Sequence, residues 1–208
     1  HPWEGEWYTD QSLKCMYPEL GRTVGYAVTC VYGLPDPGYQ RHANIVDVAQ
    51  AINESPKPVI LAVKQNFPEH IKKINGLLGG NMMTCFKACG AVGVLTDGPS
   101  RDVDEIRPFG IQYMLTGVTP GHGDFALQAV NVPVNICGMA VQTGDIIHMD
   151  ENGAVKFPRE YLEEVVVRCR RIVEKEVKMQ DALRRAGGNL ENIKKVFAGV
   201  YEFDDDKK

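Results

Sequence analysis

The chain has 208 residues, with 23 Lys and Arg against 27 Asp and Glu and a formal net charge of −4. That balance excludes a dedicated nucleic-acid binder, which shows a basic excess; 44% hydrophobic and 24% charged residues exclude the disordered and fibrous classes. Apolar runs such as Pro58–Val63 and Val165–Val167 are too short to span a bilayer. A cytoplasmic protein is expected, with neither membrane nor nucleic acid among its partners. No charged-then-apolar signal segment opens the chain, and because it starts at His1 rather than Met, an N-terminal element is expected to precede it. The cysteines at 15, 30, 85, 89, 137 and 169 form no CxxC pair and read as free thiols in a reducing compartment. Cys85 and Cys89 share a helix face, but no third soft ligand or His stands near them in sequence.

Residues 1–24 show no clear period. Gly25–Tyr32 reads as a strand rich in β-branched and aromatic residues, followed by turn formers over Gly33–Gly38. Ile45, Val46, Val48, Ala49 and Ile52 recur at helical spacing. Pro58–Val63 is continuous and apolar, as a strand buried on both faces requires. The glycine-rich loop Asn75–Asn81 leads into a helix through Cys89, with Asn81 the expected N-cap and Gly90 the stop. Ala91–Thr96 is the next buried strand, then a short helix to about Phe109 and a strand over Ile111–Leu115. Short strands are expected at Val132–Val134, Met139–Val141, Asp145–Met149 and Ala154–Phe157, with turns at Gly138, Gly144 and Asn152-Gly153. The longest helix is expected to begin at Pro158 and end at Gly187-Gly188. Its apolar stripe runs Leu162, Val165, Cys169, Ile172, Glu176, Met179 and Leu183. A helix over Leu190–Val200 and the tail Asp204–Asp206, read as solvated, close the chain.

The strongest chemical signal is Thr96-Asp97-Gly98-Pro99-Ser100-Arg101-Asp102, a buried strand that delivers an Arg–Asp pair at its carboxyl end, where α/β sheets bind ligands. Arg101 offers a planar fork for a carboxylate, and Asp102 is a hard oxygen ligand of the kind Mg²⁺ accepts. Together they suit the two ends of a 2-oxo acid; a surface ion pair capping the next helix is the alternative. The glycine loop offers free backbone N–H groups to an anion at the helix start, or is simply a turn. Its spacing fits neither GxGxxG nor a Walker loop. Glu176 interrupts an apolar stripe, where burying a carboxylate without a partner is costly. It either sets register, lies where the stripe is exposed, or is presented to a neighbouring subunit. His122 and His148 read as structural rather than metal-ligating.

These residues resemble a known family. Gly90–Val103 is similar to a G-x-x-G-x-V-x-D-G-x-x-R-D signature. Val132-Pro133-Val134, then Gly144-Asp145, Asp150, Gly153 and Pro158, resemble its V-P-V and G-D-x-x-x-x-D-x-x-G-x-x-x-x-P pattern, and Gly25–Thr29 its early G-x-A-x-T strand. The family is the one shared by the regulator of ribonuclease activity A and 4-hydroxy-4-methyl-2-oxoglutarate aldolase, and the resemblance covers roughly residues 20–185. It implies an α/β fold: a swivelling β/β/α three-layer domain with a long C-terminal helix, assembled as a trimer or a dimer of trimers. A single domain over residues 1–208 is expected, with the α/β core at 20–157, a helix at 158–186 packing on a neighbouring subunit, and an acidic tail at 201–208.

By position, the resemblance makes Arg101 the group that binds the pyruvyl end of the substrate and Asp102 the direct ligand of Mg²⁺ or another divalent ion such as Mn²⁺. Backbone amides of Leu78, Gly79, Gly80, Asn81 and Met82 would take the substrate carboxylate, and Glu176 would reach a neighbouring subunit's metal through water. One departure stands out: the acid that the family's aldolases carry at the start of the helix falls here on Gly80 or Asn81. The family's ribonuclease regulators, in contrast, lack the acid after the Arg, which this chain keeps as Asp102. The expected function is a divalent-metal-dependent lyase, an aldolase or decarboxylase. Its substrates would be 2-oxo acids such as 4-hydroxy-4-methyl-2-oxoglutarate or oxaloacetate, with pyruvate released. The alternatives are a non-catalytic regulator docking on a partner protein such as a ribonuclease, or another chemistry on a small carboxylate.

Overall fold

Hydrophobic residues alternate on either side of the central strands, so the sheet must be covered on both faces, and the computed structural model shows what covers it. It describes residues 5–36 and 43–203; part of the predicted Gly33–Gly38 turn and the Asp204–Asp206 tail lie outside the described residues. Two compact units are present, His1–Arg159 and Glu160–Lys208.

In the first unit β1 (Lys14–Cys15) and a 3₁₀ turn precede the long β2 (Thr23–Gly33). Then come α1 (Ile45–Glu54), β3 (Val59–Asn66), α2 (Glu69–Lys72), α3 (Gly80–Ala88) and β4 (Ala91–Thr96). After α4 (Val103–Ile106) a 3₁₀ turn leads to β5 (Gln112–Leu115), β6 (Ala126–Val130) and β7 (Val134–Ile136). The unit ends with β8 (Met139–Val141), β9 (Ile146–Asp150) and β10 (Gly153–Phe157). The main sheet has eight strands in the order β1-β5-β4-β3-β2-β9-β10, with β6 also on β2.

β2 through β5 run parallel. β2 is long enough to pair antiparallel with β9 through Thr23–Tyr26 and with β6 through Cys30–Gly33. One face of these strands, with Val28, Leu61, Val94 and Tyr113, packs on Val48 and Ile52 of α1 and on Met83 and Phe86 of α3. The opposite face, with Ala27, Ile60, Leu95 and Met114, packs on Val134, Ile136, Met139 and Val141 of the β7–β8 hairpin. The result is the expected β/β/α arrangement of three layers.

Three expectations are corrected. Helix α3 starts at Gly80 with Gly79, not Asn81, as N-cap, because the Asp102 carboxylate reaches in from another loop to accept the Gly80 N–H at 3.0 Å. The strand expected at Val132–Val134 begins only at Val134: Pro133 has no N–H to give a ladder, and Asn131, at φ +57°, turns the chain there. Pro158 does not open the long helix; a 3₁₀ turn over Arg159–Tyr161 comes first.

The second unit holds α5 (Leu162–Ala186), stopped by Gly187 in the left-handed conformation, and α6 (Leu190–Phe197). Ala182, Ala186, Val196 and Phe203 are its buried cluster. Nearer the start of α5, Val166, Ile172, Val173 and Val177 are exposed. No helix among the described residues is long and apolar enough to cross a membrane.

Candidate functional site

The parallel strands β3, β4 and β5 all end on one edge of the sheet, and the loops leaving them build the site. Beyond β4 the chain makes a turn fixed from below. The buried Gln65 amide donates to Thr96 Oγ1 at 3.1 Å and to the Pro99 carbonyl at 2.9 Å. Asp97, itself almost buried, accepts from Lys64 at 2.5 Å, from Lys72 at 2.7 Å and from the Gln65 N–H at 2.7 Å. This carboxylate is therefore committed to holding the turn. Lys72, Asp97, Gly98, Pro99 and Thr116 also line a cleft of about 330 Å³ between α2 and the loops after β4 and β5. Arg101 and Asp102 do not line it.

Ser100 and Tyr113, both fully buried, tie the turn to the glycine loop. The two hydroxyls and the Leu78 carbonyl oxygen lie within hydrogen-bond distance of one another, Tyr113 at 3.1 Å from the carbonyl, so that one hydroxyl donates to the other and the second donates to Leu78 O. Burial pushes the Tyr113 phenol above its ordinary range, the Ser100 hydrogen bond pulling the other way, so it stays a neutral donor. Arg101 N–H also donates to Leu78 O, at 3.2 Å. The glycine loop is held in turn by Gly76 N–H on Gly121 O at 2.8 Å and Gly123 N–H on Asn75 Oδ1 at 3.3 Å.

On this frame the Arg101 guanidinium donates through Nη1 to Gly76 O at 2.7 Å, while its Nε lies 3.3 Å from Asp102 Oδ2. Both side chains keep about a quarter to a third of their surface in solvent, 26% and 32%. Asp102 sits at φ +58°, a left-handed conformation that Asp adopts more readily than most residues. The same Oδ2 accepts the Gly80 N–H, whereas Oδ1 has no hydrogen-bond partner among the described residues. Approach this close needs glycine: a Cβ on Gly79 would lie 2.6 Å from Asp102 Oδ2 and 2.7 Å from Arg101 Nη2.

The structure thus brings together Arg101, Asp102, Leu78, Gly79 and Gly80. The N–H groups of Asn81 and Met82, in the first turn of α3, have no acceptor within their own helix; the Asn81 side chain is exposed and Met82 is half-buried. Glu176 is exposed on α5, in the second unit. His122 is exposed and stacks near Phe125 at 5.5 Å, and His148 is half-buried in β9. Among the described residues no three His, Cys, Asp or Glu side chains gather to hold a metal. The donor set at Asp102 nevertheless fits Mg²⁺, which binds through one or two carboxylates and retains several waters. Sequence reading missed the buried Ser100–Tyr113 pair, the Gln65 support and Glu105, whose carboxylate lies against Gly80. Only Glu105 left a trace in the sequence, since it stands three residues after Asp102 at the start of a helix.

Residues 4–156 match the family described as RraA-like, Aldolase/RraA. A stretch of 116 residues is 35% identical to the uncharacterized protein MJ0644 of Methanocaldococcus jannaschii, 55% of each chain. A stretch of 88 residues is 32% identical to the 4-hydroxy-4-methyl-2-oxoglutarate aldolase of Thermus thermophilus, 39% of this chain and 51% of that one. The chain thus spans about half the length of these curated relatives. In three dimensions it is similar to Streptomyces coelicolor RraAS2, described as an unusual member of the RNase ES inhibitor RraA family. The TM-score is 0.64 at 25% identity, covering 82% of this chain and 81% of that one. With the match extending across nearly the whole first unit, the chain belongs to the RraA-like family.

Proposed function

We propose that the protein is a divalent-metal-dependent carbon–carbon lyase acting on 2-oxo acids such as 4-hydroxy-4-methyl-2-oxoglutarate or oxaloacetate, with pyruvate as product. The observation that carries this reading is the pairing of Arg101 with Asp102, both partly exposed, beside free amides at the start of α3. Asp102 would hold the divalent cation, which when bound would supply Lewis acidity to the 2-oxo group. Arg101, fixed by Gly76 O, presents its remaining N–H groups to the substrate and offsets negative charge as the enolate forms, a contribution of roughly 3–4 kcal/mol by analogy with an oxyanion donor. The Asn81 and Met82 amides are donors for the substrate carboxylate, aided by the helix dipole. Assembly into a trimer or dimer of trimers, with Glu176 serving a neighbouring subunit, belongs to this same proposal.

The test is pyruvate release from oxaloacetate, read through lactate dehydrogenase with Mg²⁺ and then with excess chelator. Turnover that the chelator stops is the expected result. Arg101→Ala and Asp102→Ala abolish it, and Asn81→Asp preserves or raises it; full activity in Asp102→Ala removes the metal from the reading. A second reading, a non-catalytic regulator, draws on the RraAS2 likeness and on Gly80 and Asn81, which put no acid at the start of α3. It predicts no metal-dependent turnover and capture of a protein partner.

A further inference from the structure

We infer that Glu105 is the second carboxylate this site turns on its divalent cation, beside Asp102, an inference that rests on the metal-dependent reading above. A Cβ built on Gly80 would lie 2.0 Å from Glu105 Oε1, 2.6 Å from its Cδ and 3.0 Å from Oε2. The whole carboxylate therefore occupies the volume that any side chain at position 80 would take. Gly79 next door does the same for Asp102 and Arg101. Two consecutive glycines thus seat three charged head groups on the first residues of α3.

Asp102 and Glu105 come from the start of α4, where positions three apart share one face. Since Asp102 Oδ2 accepts the N–H of the same Gly80 at 3.0 Å, standard backbone dimensions keep the two carboxylates within about 7.5 Å. That span suits one hydrated cation, bound by one acid and reached through water by the other.

No capping hydrogen bond holds Glu105, although it stands in the first turn of α4 and against the first residue of α3. The Gly80 N–H is already given to Asp102, and Glu105 makes no hydrogen bond or ion pair among the described residues. Arg101 is engaged by Gly76 O and Asp102. Two carboxylates thus converge with one free oxygen on Asp102 and an unpaired group on Glu105, an arrangement that a cation completes.

The experiment titrates Mn²⁺ into the full chain, followed by electron paramagnetic resonance, for wild type, Asp102→Asn, Glu105→Gln and Gly80→Ala. Glu105→Gln is expected to weaken Mn²⁺ binding at least tenfold at an unchanged melting temperature. Gly80→Ala is expected to weaken it similarly, because the new methyl displaces the carboxylate, while melting holds or rises, Ala being the better helix former. If both variants bind like wild type while Asp102→Asn does not, Glu105 is overturned and the metal reading stands. A loss of affinity matched by a fall in melting temperature assigns Glu105 to structure alone and also overturns the inference. If wild type binds no Mn²⁺ at millimolar concentration, both fall together.

Discussion

A glycine that carries a charged neighbour on its Cα is tolerant or intolerant according to how firmly that neighbour is held. At Gly80 the neighbour is the free end of an exposed Glu105, so a methyl there moves a flexible group and leaves the fold intact. At Gly98 the added Cβ meets the Gln65 amide at 2.3–2.6 Å, and Gln65 is buried with two hydrogen bonds to keep. Gly98→Ala is therefore expected to cost about 2–3 kcal/mol, from overpacking and from the bonds Gln65 must give up. Thermal melting checks this, with a fall of several degrees; a melting temperature equal to wild type shows that Gln65 is not pinned. Arg101 and Asp102 were legible as a pair because they adjoin in the sequence. Glu105 was passed over, because its place three residues after Asp102 is an ordinary one for an acid at a helix start, and what singles it out is contact with a glycine 25 positions earlier.

The two longer helices packed on the sheet, α1 and α3, are capped at their starts by different devices, and only one of them is local. Asn44 caps α1, accepting from Val46 N–H at 2.8 Å, while Asp47 returns the favour by accepting the Asn44 N–H at 2.6 Å. This reciprocal box is worth about 1 kcal/mol. Asn44→Ala is expected to lower the melting temperature by roughly 2–4 °C in a chain of this size, without altering Mn²⁺ binding, since α1 contributes nothing to the Arg101–Asp102 pair. Helix α3 has no such residue at Gly79 and borrows Asp102 from the α4 start. That is why the expected cap at Asn81 failed. The buried strands β3 and β4 were legible because burial on both faces forces an unbroken apolar run. Strand β6 was not foreseen: it is short, only half-buried over most of its length, and defined by pairing on the last residues of β2.

The buried acids that keep their protons make the whole molecule sensitive to alkali. Cys30, fully buried, has its thiol pushed up by desolvation, and Tyr17 is pushed up to about 12 mainly by burial, with Arg107 partly opposing. In the unfolded chain these groups ionise near pH 9–10, so above that range the unfolded state binds fewer protons than the native one. Stability therefore falls as pH rises from about 9 toward 12. Urea midpoints at pH 7.5, 9 and 10.5 should decline in that order, and an unchanged midpoint shows that the two groups are not shielded.

By itself the amino-acid order determined the alternation of apolar strands and amphipathic helices, and with it the layered α/β class and the edge on which the loops gather. Those follow from periodicity and burial, which act over a few residues at a time. Only the tertiary structure decided that Asp97 is spent on two lysines, that Asp102 reaches across to α3, and that Glu105 lies on Gly80. Those are meetings of distant segments, set by how the layers pack rather than by any neighbour in the chain.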